Sequence, residues 1–115
     1  MEFMVGIAQT CHPVDGDVVS LVDRFAADAQ AKGVELLVFP ESLMSRYEAE
    51  IGDFLAESQP IDGLFARAVN AIAAKRQLWI VYTMNELNPN AKPFNTAIAV
   101  DAEGVVRGVY RKVHL

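Results

Sequence analysis

The sequence is poor in the residues that build disulfide frameworks and metal sites. Its 115 residues include one cysteine, Cys11, and two histidines, His12 and His114. A single cysteine excludes an internal disulfide and makes a reducing cytoplasm the expected compartment. Two histidines and one cysteine so far apart in the chain give no metal-ligand spacing, so we expect no metal site and no cofactor.

Basic charge and long apolar runs are also scarce. Lys and Arg number 10 against 15 acidic residues, which gives a formal net charge of −5. Nucleic acids and anionic membranes select for basic patches, so neither is expected as a partner. No apolar run approaches the ~18 residues of a membrane span. The segment Met1–Met4 lacks the basic region and small-residue cleavage site of a signal peptide.

Apolar residues, in contrast, are abundant. They make up 52% of the chain, which is high for so short a sequence. Small domains bury a smaller share of their surface than large ones. We therefore expect part of the apolar surface to be covered by more chain or by a partner.

Hydrophobic periodicity predicts the element order β-α-β-α-β-β-β. The predicted strands are 3–9, 36–39, 78–83, 94–100 and 105–111, and the apolar helix faces run from Val18 to Ala29 and from Phe65 to Ala73. We expect Asp15 or Asp17 to cap the first helix, Gly33 to follow it, and Pro60 to lie in the first turn of the second. The continuous apolar run 36–39 is typical of a parallel strand that is covered on both faces.

Two charged residues stand at the carboxyl ends of predicted strands, where open α/β sheets place their sites. Glu41 follows the strand Leu36–Phe39 after Pro40, and Lys112 follows Arg111. Glu41 by itself is compatible with a base, a metal ligand or a helix N-cap. A lysine near a strand end is usually solvated, with its stem packed along the surface.

The sequence around these two residues resembles that of the carbon–nitrogen hydrolase (nitrilase) superfamily. Val5–Gln9 is similar to that family's first strand, and Leu37–Glu41 to the segment that carries its catalytic glutamate. Phe94–Ala97 looks like its aromatic-Asn strand motif, and Gly104–Leu115 like the segment that carries its catalytic lysine. The four motifs occur in order and cover almost the whole chain.

The resemblance implies the N-terminal half of an α-β-β-α four-layer sandwich with a Glu-Lys-Cys triad. In such a triad a cysteine thiolate attacks an amide or nitrile carbon and forms a thioester-like intermediate, which water then hydrolyses. Glu41 would be the general base and acid, and Lys112 would stabilise the oxyanion. The nucleophilic cysteine is absent, since Cys11 lacks the family's surrounding sequence and is expected to be an inert, half-buried thiol. Residues 1–115 are therefore interpreted as one partial domain that lacks its C-terminal half.

Four further side chains have weaker assignments. Tyr47 could line a substrate pocket, although packing of the acidic loop 42–59 explains it equally well. That loop has room for a short helix. Asn95 is expected to be a buried hydrogen-bonding residue rather than a catalytic one. His12 and His114 are expected to make local hydrogen bonds.

The leading hypothesis is the first half of an amidase or nitrilase-like hydrolase, inactive alone. Its partners would be a small amide, nitrile or carbamoyl substrate and either a second copy or a complementing C-terminal half. The alternative is a non-catalytic binding or assembly module with the same fold. A nucleotide-binding α/β domain is disfavoured, because neither G-x-G-x-x-G nor G-x-x-x-x-G-K-[ST] occurs.

Overall fold

The computed structural model describes residues 2–44, 58–89 and 91–112. Within them the chain forms five strands and two helices in the predicted order. These elements are β1 (Val5–Ile7), α1 (Val18–Ala31), β2 (Leu36–Val38), α2 (Leu64–Arg76), β3 (Trp79–Glu86), β4 (Phe94–Val100) and β5 (Val106–Arg111). The weakly predicted helix within residues 42–59 falls largely outside the described residues.

The five strands form one sheet in the order β1-β2-β3-β4-β5. Strands β1, β2 and β3 pair in parallel, whereas β3, β4 and β5 pair antiparallel. Parallel strands joined by right-handed crossovers in one direction place both connecting helices on the same face of the sheet. The two helices pack against each other, and Asp23 of α1 accepts hydrogen bonds from Arg76 Nε at 2.9 Å and Nη2 at 3.1 Å.

Helix α1 follows its sequence signals closely. The Asp17 side chain accepts a hydrogen bond from the Ser20 backbone N–H at 3.0 Å, which identifies Asp17 rather than Asp15 as the cap. Gly33 follows the last turn with a φ of +76°, a left-handed conformation that costs glycine little. The apolar stripe is buried as its spacing predicts.

Helix α2 begins later than its sequence suggests. Pro60 was expected in its first turn, but the helix starts at Leu64, and Pro60 instead begins a preceding turn that Gly63 N–H closes onto the Pro60 carbonyl at 2.9 Å. The Gln59 side chain accepts a hydrogen bond from the Phe65 N–H at 2.9 Å. This bond satisfies one of the backbone N–H groups that the first turn of a helix leaves without a helical partner.

Strand ends also differ from expectation by a few residues. Strand β1 is shorter than the predicted range 3–9. Strand β3 continues past its predicted end at Thr83 as far as Glu86, because Met84, Asn85 and Glu86 also pair with β4. Strand β4 has the predicted bounds, and β5 begins one residue later, at Val106. Neither described helix has the length and apolarity that crossing a membrane requires.

The sheet has two unlike faces, which we call the helix face and the open face. Along the helix face lie buried side chains: Leu37, Ile80, Tyr82, Met84, Ile98 and Val100. On the open face the strand register aligns side chains that remain exposed: Val5, Ile7, Trp79 and Tyr110. Leu36 and Val38 share this face and are half-buried, so among the described residues this strand is fully covered only on its helix face. The physical reason is that both helices pack on one side.

Candidate active site

The sheet topology brings Glu41 and Lys112 together at one edge of the open face. Glu41 follows β2, and Lys112 follows β5, although β3 and β4 lie between those strands. The Lys112 backbone N–H donates to the Asn95 carbonyl at 2.9 Å, which extends the β4–β5 ladder by one residue. Strand β3 runs parallel to β2, and β4 and β5 each reverse direction. Strand β5 therefore runs the same way as β2, and both strands end at the same edge of the sheet.

Two described residues donate hydrogen bonds to the carboxylate of Glu41. Lys112 Nζ lies 3.0 Å from Glu41 Oε1, and Asn95 Nδ2 donates to the same oxygen at 2.6 Å. Within the part of the chain that the structure describes, neither donor binds Oε2. Asn95 was expected to be a buried hydrogen-bonding residue rather than a catalytic one. It does form a hydrogen bond, but it is half-buried and its partner is Glu41.

The charge on Glu41 is held by these two hydrogen bonds. The bond from Lys112, followed by the bond from Asn95, lowers the pKa of the Glu41 carboxyl below its ordinary value. The Glu41 side chain is 57% exposed and that of Lys112 44% exposed, so solvent screens the pair. A carboxylate in this setting is ionised at neutral pH and accessible to a third group.

The backbone beneath Glu41 is a tight turn. Residues 41–44 form a turn after β2, and Ser42 has a φ of +61°, a left-handed conformation that is uncommon outside glycine and asparagine. Thr83 of β3 contacts this turn twice. Its hydroxyl donates to the Pro40 carbonyl at 2.9 Å, and the Leu43 N–H donates to Thr83 Oγ1 at 3.2 Å.

On the opposite face, an ion pair secures the strand end that carries Lys112. Glu86 is 6% exposed and accepts from Arg111 Nε at 2.8 Å, from Arg111 Nη2 at 2.6 Å and from Thr96 Oγ1 at 2.9 Å. The Arg111 guanidinium also lies over the Phe94 ring, 4.9 Å from its centroid. Hydrogen bonds from Arg111 lower the pKa of Glu86, and that of Thr96 adds to the effect. This network fixes the last residue of β5, directly before Lys112.

Of the remaining candidates from the sequence, the structure describes Cys11 and His12. Cys11 is an exposed free cysteine, not the half-buried thiol expected. His12 lines a cavity of about 320 Å³ with Asp17 and Met44, beside the start of α1. Tyr47 and His114 lie outside the described residues. No cluster of His, Cys, Asp and Glu able to hold a metal occurs among residues 2–44, 58–89 and 91–112.

Thr83 is the residue that sequence reasoning missed. The sequence analysis treated it only as the last residue of the apolar strand LWIVYT. The one feature that could have drawn attention to it is a hydroxyl group among large apolar side chains. Such a hydroxyl has no preferred partner until the neighbouring strand is known.

Comparison with known proteins gives the family. A model of the carbon-nitrogen hydrolase family matches residues 5–115, nearly the whole chain. The chain therefore belongs to the carbon–nitrogen hydrolase family, as its motifs predict.

The relatives and solved structures agree with this assignment. The chain is 30% identical over 98 residues to a formamidase of Allorhizobium ampelinum, a match that spans 84% of this chain and 28% of that protein. It is 34% identical over 108 residues to a hydrolase of Pseudomonas protegens, spanning 91% of this chain and 37% of the relative. Its fold matches an amidase from Nesterenkonia sp. with a TM-score of 0.75 at 24% identity, over 98% of this chain and 43% of that one. A carbon-nitrogen hydrolase from Helicobacter pylori gives a TM-score of 0.85 at 20% identity, over 97% and 40%. The chain thus spans less than half the length of these proteins.

Proposed function

We propose that this chain is the Glu- and Lys-bearing part of a hydrolase that cleaves the carbon–nitrogen bond of small non-peptide amides or nitriles. The observation that carries the proposal is the contact between Glu41 Oε1 and Lys112 Nζ, 3.0 Å, on the open face. This pair joins a proton acceptor to a fixed cation at one point. Neither residue is required for packing, since both side chains are largely exposed.

In the proposed reaction Glu41 is the general base and then the general acid. Among the described residues, the two donors Asn95 and Lys112 both bind Oε1, so we assign to Oε2 the role of accepting the thiol proton. The same carboxyl group would return that proton to the leaving amine and later accept one from the attacking water. Covering the site would raise the pKa of Glu41 from its lowered value, because burial disfavours the charged carboxylate. A base of higher pKa accepts the thiol proton more readily.

Lys112 is proposed to hold positive charge beside the reacting carbon. A cation there lowers the pKa of a neighbouring thiol and stabilises the oxyanion of the tetrahedral intermediate. A lysine suits this role as a compact point charge with three donors, one of which already bonds to Glu41.

The nucleophile is proposed to come from outside the 115 residues. The only cysteine, Cys11, is exposed and has none of the family's surrounding sequence. We therefore expect the chain alone to be inactive. The open face, with Ile7 and Tyr110 exposed, would receive either a second copy or the complementing C-terminal half.

Names of similar proteins suggest the substrate class. Several matched relatives are called formamidase. One structure of the Nesterenkonia amidase shows Michael addition of acrylamide at its active-site cysteine, and another contains butyramide. Small aliphatic amides are therefore the first substrates to test, followed by nitriles and carbamoyl compounds.

An ammonia-release assay tests the proposal. The first sample is the 115-residue chain alone, with formamide, acrylamide and butyramide as substrates. The second is the chain extended by the segment that follows the matched region in the A. ampelinum formamidase. We expect turnover only in the second sample, and its loss by at least ~100-fold in Glu41→Gln and in Lys112→Met. Turnover by the first sample that Cys11→Ala abolishes would overturn the assignment of the nucleophile. Full activity of Glu41→Gln in the second sample would overturn the role of Glu41.

A further inference from the structure

We propose that Thr83 is a positioning residue that sets the turn from which Glu41 projects. The inference rests on the proposed function only in naming Glu41 the acid and base group. Its evidence is the position of one hydroxyl between two backbone groups of residues 40–43.

The hydroxyl of Thr83 takes the place of the backbone hydrogen bond that usually joins the first and fourth residues of a turn. In a four-residue turn the carbonyl of the first residue usually accepts from the N–H of the fourth. In the turn Pro40–Leu43, Thr83 Oγ1 donates to the Pro40 carbonyl at 2.9 Å and accepts from the Leu43 N–H at 3.2 Å. The hydroxyl is thus inserted between the two groups and holds the turn from outside.

The turn needs such support because its own sequence does not favour it. Ser42, the third residue, has a φ of +61°, where turns usually employ glycine or asparagine. The left-handed conformation is unfavourable for a residue with a Cβ, because the Cβ approaches the following carbonyl oxygen too closely. Because this conformation is costly, contacts outside the turn must favour it, and the two hydrogen bonds of Thr83 are such contacts.

Thr83 also ties the turn to the same ladder that holds the carboxylate. Thr83 pairs with Ala97 in the β3–β4 register, and Asn95 lies two residues from Ala97 on the same face. The backbone below Glu41 is therefore held by β3, while its carboxylate is held by Asn95 of β4. One rigid pair of strands fixes both ends of the Glu41 residue.

The test is to remove the hydroxyl without changing the shape of the side chain. In Thr83→Val the Leu43 amide loses its acceptor, and its hydrogen exchange should accelerate by roughly tenfold. The pKa of Glu41, followed by carboxyl ¹³C NMR, should rise toward its ordinary value as Asn95 and Lys112 lose their geometry. Thr83→Ser retains the hydroxyl and should restore both properties.

Tyr82→Phe is the matched control. It deletes one hydroxyl from the same strand, the donor to Asn70 Oδ1 at 2.9 Å, but on the helix face. We expect it to reduce stability while leaving the Glu41 pKa and the Leu43 exchange rate, measured under native conditions, unchanged. If Thr83→Val behaves like Tyr82→Phe, Thr83 is merely structural and the inference is overturned.

A measurement on the unmodified chain covers the case in which Thr83→Val does not fold. Protection of the Leu43 amide, with a slowly exchanging Thr83 hydroxyl proton, would support the inference. Exchange of the Leu43 amide at the rate of an exposed peptide would overturn it. None of these readouts requires activity, so an inactive extended chain would count against the proposed function and leave the role of Thr83 to be decided by NMR.

Discussion

The helix face and the open face of the sheet are built from alternate residues of the same strands, yet they differ in how far their central side chains are buried and in how strongly solvent screens their ion pairs. The helix face carries fully buried side chains such as Ile98 and the satisfied ion pair of Glu86. The open face carries exposed apolar side chains, the strained turn at Ser42 and the solvent-screened pair of Glu41 and Lys112.

Neighbouring residues show how closely the two roles are interleaved. Arg111 bonds to Glu86 on the helix face, and the next residue, Lys112, bonds to Glu41 on the open face. Thr96 bonds to Glu86, and Asn95 to Glu41. Because successive side chains of a strand point to opposite faces, one strand supports the Glu86 ion pair on one side and the Glu41 carboxylate on the other.

The largest difference between the faces is expected in stability. Ile98, 0% exposed on the helix face, and Ile7, 79% exposed on the open face, allow the same substitution on both. Ile98→Ala should reduce the free energy of unfolding by about 2–5 kcal/mol, through lost burial and a cavity. Ile7→Ala should change it by no more than about 0.5 kcal/mol. Urea unfolding at low protein concentration measures both, and equal effects would contradict the comparison.

A second test concerns what the open face does in solution. An exposed apolar face should associate, with a second copy when no complementing segment is present. Ile7→Lys combined with Tyr110→Lys should weaken that association at least ~10-fold, because each large apolar side chain contributes about 1.5–3 kcal/mol when buried. Sedimentation velocity measures the change. Val14→Lys, at an exposed position in the loop before α1, is the control and should have little effect. A wild-type chain that is monomeric at all concentrations would refute the expectation.

The loss of unfolding free energy at acid pH should depend more on Glu86 than on Glu41. The pKa values of Glu86 and Glu41 are both lowered in the folded chain, chiefly by hydrogen bonds from Arg111 and Lys112 respectively. Each therefore contributes stability above the unfolded value of ~4.3, and this contribution is lost as pH falls through the folded pKa. Glu86→Gln should flatten the loss of stability below about pH 4.3 more than Glu41→Gln does, because solvent screens Glu41. Unfolding free energies measured from pH 7 to pH 3 decide this, and a larger change in Glu41→Gln would contradict it.

The smallest expected effect is at Ser42. Glycine has no Cβ and adopts a φ of +61° without strain, so Ser42→Gly should raise the free energy of unfolding by up to about 1 kcal/mol. Ser42→Val should lower it, since a β-branched side chain is least tolerated there. Thermal unfolding of the two variants measures the difference. If Ser42→Val is as stable as Ser42→Gly, the turn does not hold the strain we describe.

Much of the fold was predictable because its signals are local. The apolar spacing of α1, the cap at Asp17 and the hairpin between β4 and β5 depend on residues close together in the chain. Pro60 misled the prediction of α2, because a proline suits both the first turn of a helix and the turn that precedes it.

The candidate site was predictable only in part. Glu41 and Lys112 were identified by their position at strand ends and by resemblance. Asn95 was predicted as a hydrogen-bonding residue but not as a partner of Glu41, and Thr83 was not singled out. Both acquire their roles from contacts across the sheet, and no local pattern distinguishes a strand hydroxyl or amide that supports a site from one that faces solvent.

The order of the elements, the family and the two charged residues at the strand ends could all be predicted from the 115 residues. They follow from periodicity, turn residues and motifs within short segments. The hydrogen bond from Thr83 to Pro40, 43 positions apart, and the contact of Lys112 with Glu41, 71 positions apart, arise only in the folded chain. Contacts over such separations depend on strand order and on which face each side chain occupies, and both are set by the packing of the helices on one side of the sheet.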